Sequence, residues 1–128
     1  AVNIASPDAV NPFLLEAVVP FLEDYSEFEA QTQSILEEVK TTSGFDLNTK
    51  TRRVDLIHFS TVPWIRFTGL THARSTRTPG SEPKITIGKF GPHWSGGQTI
   101  PVSITGHHGL MDGFHAGRYL QYLEEIWA

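Results

Sequence analysis

Cysteine is absent from the 128-residue chain, and with it go disulfides, thiolate nucleophiles and cysteine-based zinc sites. That absence suits a reducing compartment, and the cytoplasm is the expected location. No apolar run approaches the ~20 residues that a membrane-spanning helix needs, so no membrane partner is expected. Residues 1–8 also lack the basic-then-apolar profile of a signal peptide. Methionine occurs once, at Met111 and not at the start, so a longer or processed natural chain is expected. Positive charge is scarce. Ten Lys and Arg against 14 Asp and Glu leave a net charge of −4, which offers no electrostatic reason to bind nucleic acid. The basic residues that do gather form a loose group at Arg66, Arg74 and Arg77. What remains is a globular balance, 39% hydrophobic and 19% charged, in one domain's length. A single domain over residues 1–128 is therefore expected.

The hydrophobic pattern is helical first and alternating later. Ala1 to Asn11 reads as a loop or strand end, and Pro20 breaks any helix through the apolar stretch Pro12 to Tyr25. Ser26 to Lys40 places Phe28, Ile35, Leu36 and Val39 on one helical face, with Ser26 and Glu29 spaced as a capping box and Gly44 beyond the end. Arg53 to Phe67 alternates, as two short strands or one strand bent at Pro63. Thr71 to Pro83 has loop composition. Lys84 to Phe90 and Thr99 to Gly106 are strands around a turn at Gly91 to Gly97, a hairpin. A final amphipathic helix from about Asp112 to Ala128 lines Ala116, Tyr119, Leu120, Leu123, Ile126 and Trp127 along one face. Neither repeat nor linker interrupts this order, which predicts an α+β fold, with helices packed on a mixed β-sheet.

Chemistry concentrates in His107-His108-Gly109-Leu110-Met111-Asp112-Gly113-Phe114-His115, where the hairpin gives way to the last helix. Three of the six histidines fall within these nine residues. Histidine titrates near neutrality and suits proton transfer there. Spacing alone leaves three readings open: Asp112 as a helix cap among polar loop histidines, a metal site using His107, His108, Asp112 and His115, or general-base catalysis by one histidine. The metal reading matches no standard zinc spacing.

The run His107 to His115 resembles the His-His-x-x-x-Asp-Gly-Phe-His signature of the chloramphenicol acetyltransferases. Ser60-Thr61-Val62-Pro63-Trp64, followed by Phe67-Thr68, resembles that family's Ser-x-x-Pro-Trp. Thr86-Ile87-Gly88-Lys89-Phe90 resembles its Thr-x-Gly-Lys-Tyr, and the three stand in the family's order and near its spacing. The resemblance implies a two-layer α/β sandwich of the CoA-dependent acyltransferase type. It implies an acetyl-CoA-dependent O-acetyltransferase acting on chloramphenicol or a similar small hydroxylated acceptor, by direct transfer in a ternary complex. His108 would be the base and Ser60 the oxyanion donor. Asp112 would hold local geometry, Trp64 would lie along the coenzyme, and Thr86 would face the acceptor. No metal is implied, and the site would be shared between subunits of a homotrimer.

The resemblance covers most of the chain and fails at its front, since members have roughly two hundred residues or more. Either a C-terminal portion or a reduced relative is expected. The front normally supplies an arginine for the aspartate, and Arg66 and Arg118 are the available substitutes here. Lys84 alternates with Thr86, at a position where the family prefers an apolar residue, which points away from chloramphenicol itself. Gly69 stands where the family often has serine. Two rivals stay open: a dihydrolipoyl acyltransferase core, with its His-x-x-x-Asp-Gly, and a non-catalytic assembly or binding relative.

Overall fold

The computed structural model describes residues 2–4, 15–41, 55–72 and 80–127, and the readings at Gly44, Arg53, Arg74 and Arg77 lie outside the described residues. Chain order is β1 (Val2–Ile4), β2 (Leu15–Ala17), α1 (Tyr25–Thr41), β3 (His58–Thr61), β4 (Lys84–Ile87), β5 (Gly91–Pro92), β6 (Gln98–Thr99), β7 (Val102–Thr105) and α2 (Gly113–Trp127). Five strands form one sheet in the order β2-β1-β3-β4-β7, while β5 and β6 make a separate ribbon. β1 runs parallel to β3 and β3 to β4, whereas β2 and β7 run antiparallel to their neighbours at the two edges. The sheet is therefore mixed, as the alternation of helical and extended segments predicts.

Local chemistry accounts for the element ends. Asp24, not Ser26, caps α1: its Oδ1 accepts the Glu27 amide at 2.9 Å, and its carbonyl accepts the Phe28 amide at 3.0 Å. The helix thus begins one residue before the expected start, because a carboxylate satisfies the orphan amides of the first turn. Among the side chains described, Phe28, Thr32, Ile35 and Leu36 are its half-buried residues, spaced for one face, and the expected Val39 lies outside them. β3 is a single four-residue strand rather than two, and it stops before Pro63, which has no amide to give a ladder. The chain then turns with the Ile65 amide donating to the Val62 carbonyl at 3.0 Å, and the Lys89 amide donates back to Ile65 at 2.7 Å.

The predicted hairpin is present as β4 paired with β7, with the β5–β6 ribbon near its tip. Gly96 and Gly97, at φ of 91° and 81°, close that ribbon in a backbone region that side chains disfavour.

Register sorts the central strands into two unlike faces. His58, Lys84 and Thr105 form one row, and Ser60, Thr86 and Ser103 the next. Because side chains alternate along a strand, these six polar residues share one face. Phe59, Ile85, Ile87, Val102 and Ile104 fall on the other, with Thr61. α2 runs along the apolar side: Val102, Leu120, Leu123 and Trp127 help line a hollow of about 740 Å³, and Ile104 meets Ala116 in a smaller one. Burial among the described side chains is confined to Ala17, Leu56, Ile85 and Thr86, of which Thr86 alone is fully enclosed. The expected apolar stripe of α2 is only partly covered. Ala116, Tyr119 and Leu123 are half-buried, while Leu120, Ile126 and Trp127 remain exposed.

Candidate active site

The turn between β7 and α2 is built by its own side chains. The His107 carbonyl accepts the amides of Leu110 and Met111 at 2.9 and 3.1 Å, and its Nδ1 accepts the Gly109 amide at 3.2 Å. His107 thus braces the turn, and His108 beside it is exposed. A side chain at Gly106 would meet the flexible Met111 side chain, which packs over the point where the chain leaves the sheet and would have to move aside. His108 lines a hollow of about 200 Å³ with Ile104, Gly106, Met111, Asp112, Gly113 and Ala116.

Asp112 caps α2. Its Oδ1 accepts the Phe114 and His115 amides at 3.0 and 3.2 Å and lies 2.7 Å from His115 Nδ1. The hydrogen bond from the His115 side chain, then that from its amide, holds the Asp112 carboxyl below the usual carboxylate range. Arg66 and Arg118 do not serve as its partner. Arg66 reaches the Pro92 carbonyl at 3.0 Å and Thr99 Oγ1 at 2.9 Å, bracing the β5–β6 ribbon. Arg118 donates to the Tyr122 hydroxyl one turn along α2, at 2.7 and 2.9 Å. The aspartate therefore finds its local partner in the histidine that closes its own motif.

Ser60 and Thr86 stand side by side in register on β3 and β4. Ser60 is half-buried, but Thr86 is only 1% exposed, and its Oγ1 lies 3.2 Å from Nε2 of half-buried His72. His72 sits in a stretch whose composition says only loop, and nothing in its sequence context marks it. Trp64 lies in the turn after β3 and is 51% exposed. β7 ends beside the first residue of β4, so the His108 turn leaves the sheet at the strand ends where β3 and β4 begin. Trp64 follows β3 at the opposite strand ends. Within one chain, then, the structure joins Ser60 with Thr86 and His108 with Asp112, and it separates His108 from Trp64. No cluster of three or more potential metal ligands occurs among the described residues. Likewise, no helix among them is long and apolar enough to cross a membrane.

This mixed sheet with its closing helix is found in solved structures. A chloramphenicol acetyltransferase chain superposes with a TM-score of 0.66 at 23% identity, covering 84% of this chain and 48% of that one, which establishes the fold. A model of the chloramphenicol acetyltransferase family matches residues 15–124. Among relatives, the chloramphenicol acetyltransferase of Bacillus pumilus is 34% identical over 105 residues, which is 81% of this chain and 46% of that protein. Chloramphenicol acetyltransferase 3 of Escherichia coli is 27% identical over 108 residues, 84% and 49% respectively. The chain belongs to the chloramphenicol acetyltransferase family, and it spans about half the length of the curated relatives it matches.

Proposed function

We propose that this chain is an acetyl-CoA-dependent O-acetyltransferase acting on chloramphenicol or a similar small hydroxylated acceptor, with His108 as general base. The observation that carries this reading is the family match over residues 15–124, which includes Ser60, Thr86 and the whole His107–His115 turn. Neutral His108 takes the proton of the acceptor hydroxyl as that oxygen attacks the thioester carbonyl. Ser60 donates a hydrogen bond to the oxygen on which charge develops, and losing such a donor costs about 10²–10³ in rate. Collapse of the adduct expels the coenzyme A thiolate, so transfer is direct and no acyl-enzyme forms. Trp64 offers a half-exposed flat apolar surface of the kind that suits the coenzyme, and Thr86 orients the acceptor together with His72. Asp112 acts by fixing the turn that carries His108, not by relaying charge.

Our reading includes a cytoplasmic homotrimer whose active sites are shared between subunits. The departure of His108 and Trp64 from opposite ends of the strands supports this, because a second copy could bring the two ends together. We also read residues 1–128 as one domain, a two-layer sandwich of the CoA-dependent acyltransferase type. The apolar sheet face along α2 supports that assignment. The relatives named above are chloramphenicol acetyltransferases, which favours this branch over a dihydrolipoyl acyltransferase core.

The test follows release of coenzyme A thiol from acetyl-CoA, with and without chloramphenicol, for the chain and for His108→Ala. Acceptor-dependent release that is lost in His108→Ala is expected. Release that survives the substitution refutes His108 as base. Absence of release with chloramphenicol and with other small alcohols, from a folded chain, refutes the acetyltransferase reading for these residues.

A further inference from the structure

We propose that the acceptor carries an anionic group, a carboxylate or phosphate, and that Lys84 binds it. This inference rests on the acetyltransferase reading and narrows the acceptor class. Lys84 opens β4 and shares the polar sheet face with Thr86, two residues on, and with His58, its register partner on β3. It is half-buried, which fixes its stem against this face. Among the described residues its side chain makes neither a hydrogen bond nor an ion pair. A cation held on this face without a counter-charge is available to an anionic ligand, whose charge complements it.

The surroundings favour an anion on this face. On β3, β4 and β7 this face holds His58, Ser60, Thr86, Ser103 and Thr105, which bring hydroxyls and imidazole, and the acidic position in register with them, Glu16, stands on β2, three strands from β4. Glu82, the nearest acid along the chain, is turned back toward Gly80, where a Cβ would strike its carboxylate. His72 adds a second imidazole at Thr86, 3.2 Å from its hydroxyl. Thr86 is also the hydroxyl assigned to the acceptor, so a group held by Lys84 lies beside the acceptor's position. A neutral acceptor such as chloramphenicol leaves the ammonium unanswered and should be the poorer substrate.

The experiment uses two probes of matched shape, 4-(hydroxymethyl)benzoate and 4-(hydroxymethyl)benzamide, which offer the same hydroxyl and differ in charge. Binding of each to the chain is measured by calorimetry at low and high salt, for wild type, Lys84→Gln and Lys84→Arg. Coenzyme A release is followed separately with both probes and with chloramphenicol. We expect the benzoate to bind about tenfold or more tightly than the benzamide at low salt. Salt or Lys84→Gln should remove the preference, and Lys84→Arg should keep it. Equal binding of the two probes, or a preference untouched by Lys84→Gln, overturns the proposal. The turnover arm answers a different question. Lys84-dependent benzoate binding without thiol release from any probe upholds the anion site and sinks the acetyltransferase reading.

Discussion

Replacing Gly88 with alanine tests the packing behind the Thr-x-Gly-Lys segment. Gly88 follows β4, is buried, and is held by its amide to the Pro101 carbonyl at 2.9 Å. An added Cβ would lie 2.6 Å from Pro101 Cγ and 2.7 and 2.9 Å from Phe67 Cε1 and Cδ1. Carbon atoms rest at about 3.5–4.0 Å, so both rings must retreat by about 1 Å. The backbone has little freedom to swing clear, because the hydrogen bond to Pro101 fixes it. Overpacking of this kind costs about 1–3 kcal/mol. The stiffer unfolded chain returns about 0.4–1 kcal/mol, leaving a net loss of about 1–2 kcal/mol. For a chain of this length Tm should fall by about 3–10 °C, read by calorimetry at fixed protein concentration. Gly69→Ala is the control, since nothing lies within 4 Å of a Cβ there, and it should leave Tm level or slightly raised. Phe67→Leu should recover part of the loss in the Gly88→Ala background, a coupling of at least about 0.5 kcal/mol. An unchanged Tm in Gly88→Ala would refute the steric argument.

Three shorter predictions concern the site. Thr86→Val keeps the buried shape and removes the hydrogen bond to His72, so it should cost about 0.5–1.5 kcal/mol in urea unfolding, while Thr86→Ser keeps the bond. Ser60→Ala should lower turnover by about 10²–10³ with little change in Tm, because the residue is only half-buried. Asp112 has a depressed carboxyl, so its stabilisation is present above the ordinary value near 3.9 and disappears as pH falls through the lower folded value. Protection of the Phe114 and His115 amides, relative to their intrinsic exchange rates, should fall across that acid range in the wild type. Asp112→Asn, which keeps an acceptor oxygen, should abolish that pH dependence.

Legibility in the sequence followed the range of the interactions involved. The α2 start was readable because Asp112 caps through amides two and three residues on, all within one motif. The hairpin was readable for the same reason, since β4 and β7 alternate and lie close in sequence. Local signals competed at α1: Ser26 and Glu29 are spaced for a capping box, yet Asp24 is the stronger acceptor and sets the end one residue earlier. Long-range pairings were hidden. Neither the seating of His72 on Thr86 nor the tie of Arg66 to Pro92 and Thr99 has a spacing rule. The partner of Asp112 was sought among distant arginines, while His115 was already in the motif at the right distance to meet it. The short β1 and β2, three residues each, carry too few side chains to show a period.

The tryptophans allow the proposed assembly to be tested without reference to activity. Trp64, Trp94 and Trp127 are 51%, 91% and 55% exposed in the single chain. Phe90, Phe114 and Ile126 are exposed with them, and no residue of α2 is buried among those described. Apolar surface gains about 25 cal/mol for each Å² withdrawn from water, so the single chain leaves a large favourable term unused. If copies associate to share their sites, some of this surface is covered and the tryptophan environment becomes drier. Emission should therefore shift to the blue as concentration rises, in step with a mass increase to a trimer measured by sedimentation. Turnover per chain should rise along the same curve, because a site completed by a second copy depends on association. A chain that stays monomeric, with water-exposed tryptophans and constant specific activity across the dilution series, would show that one copy holds the whole site.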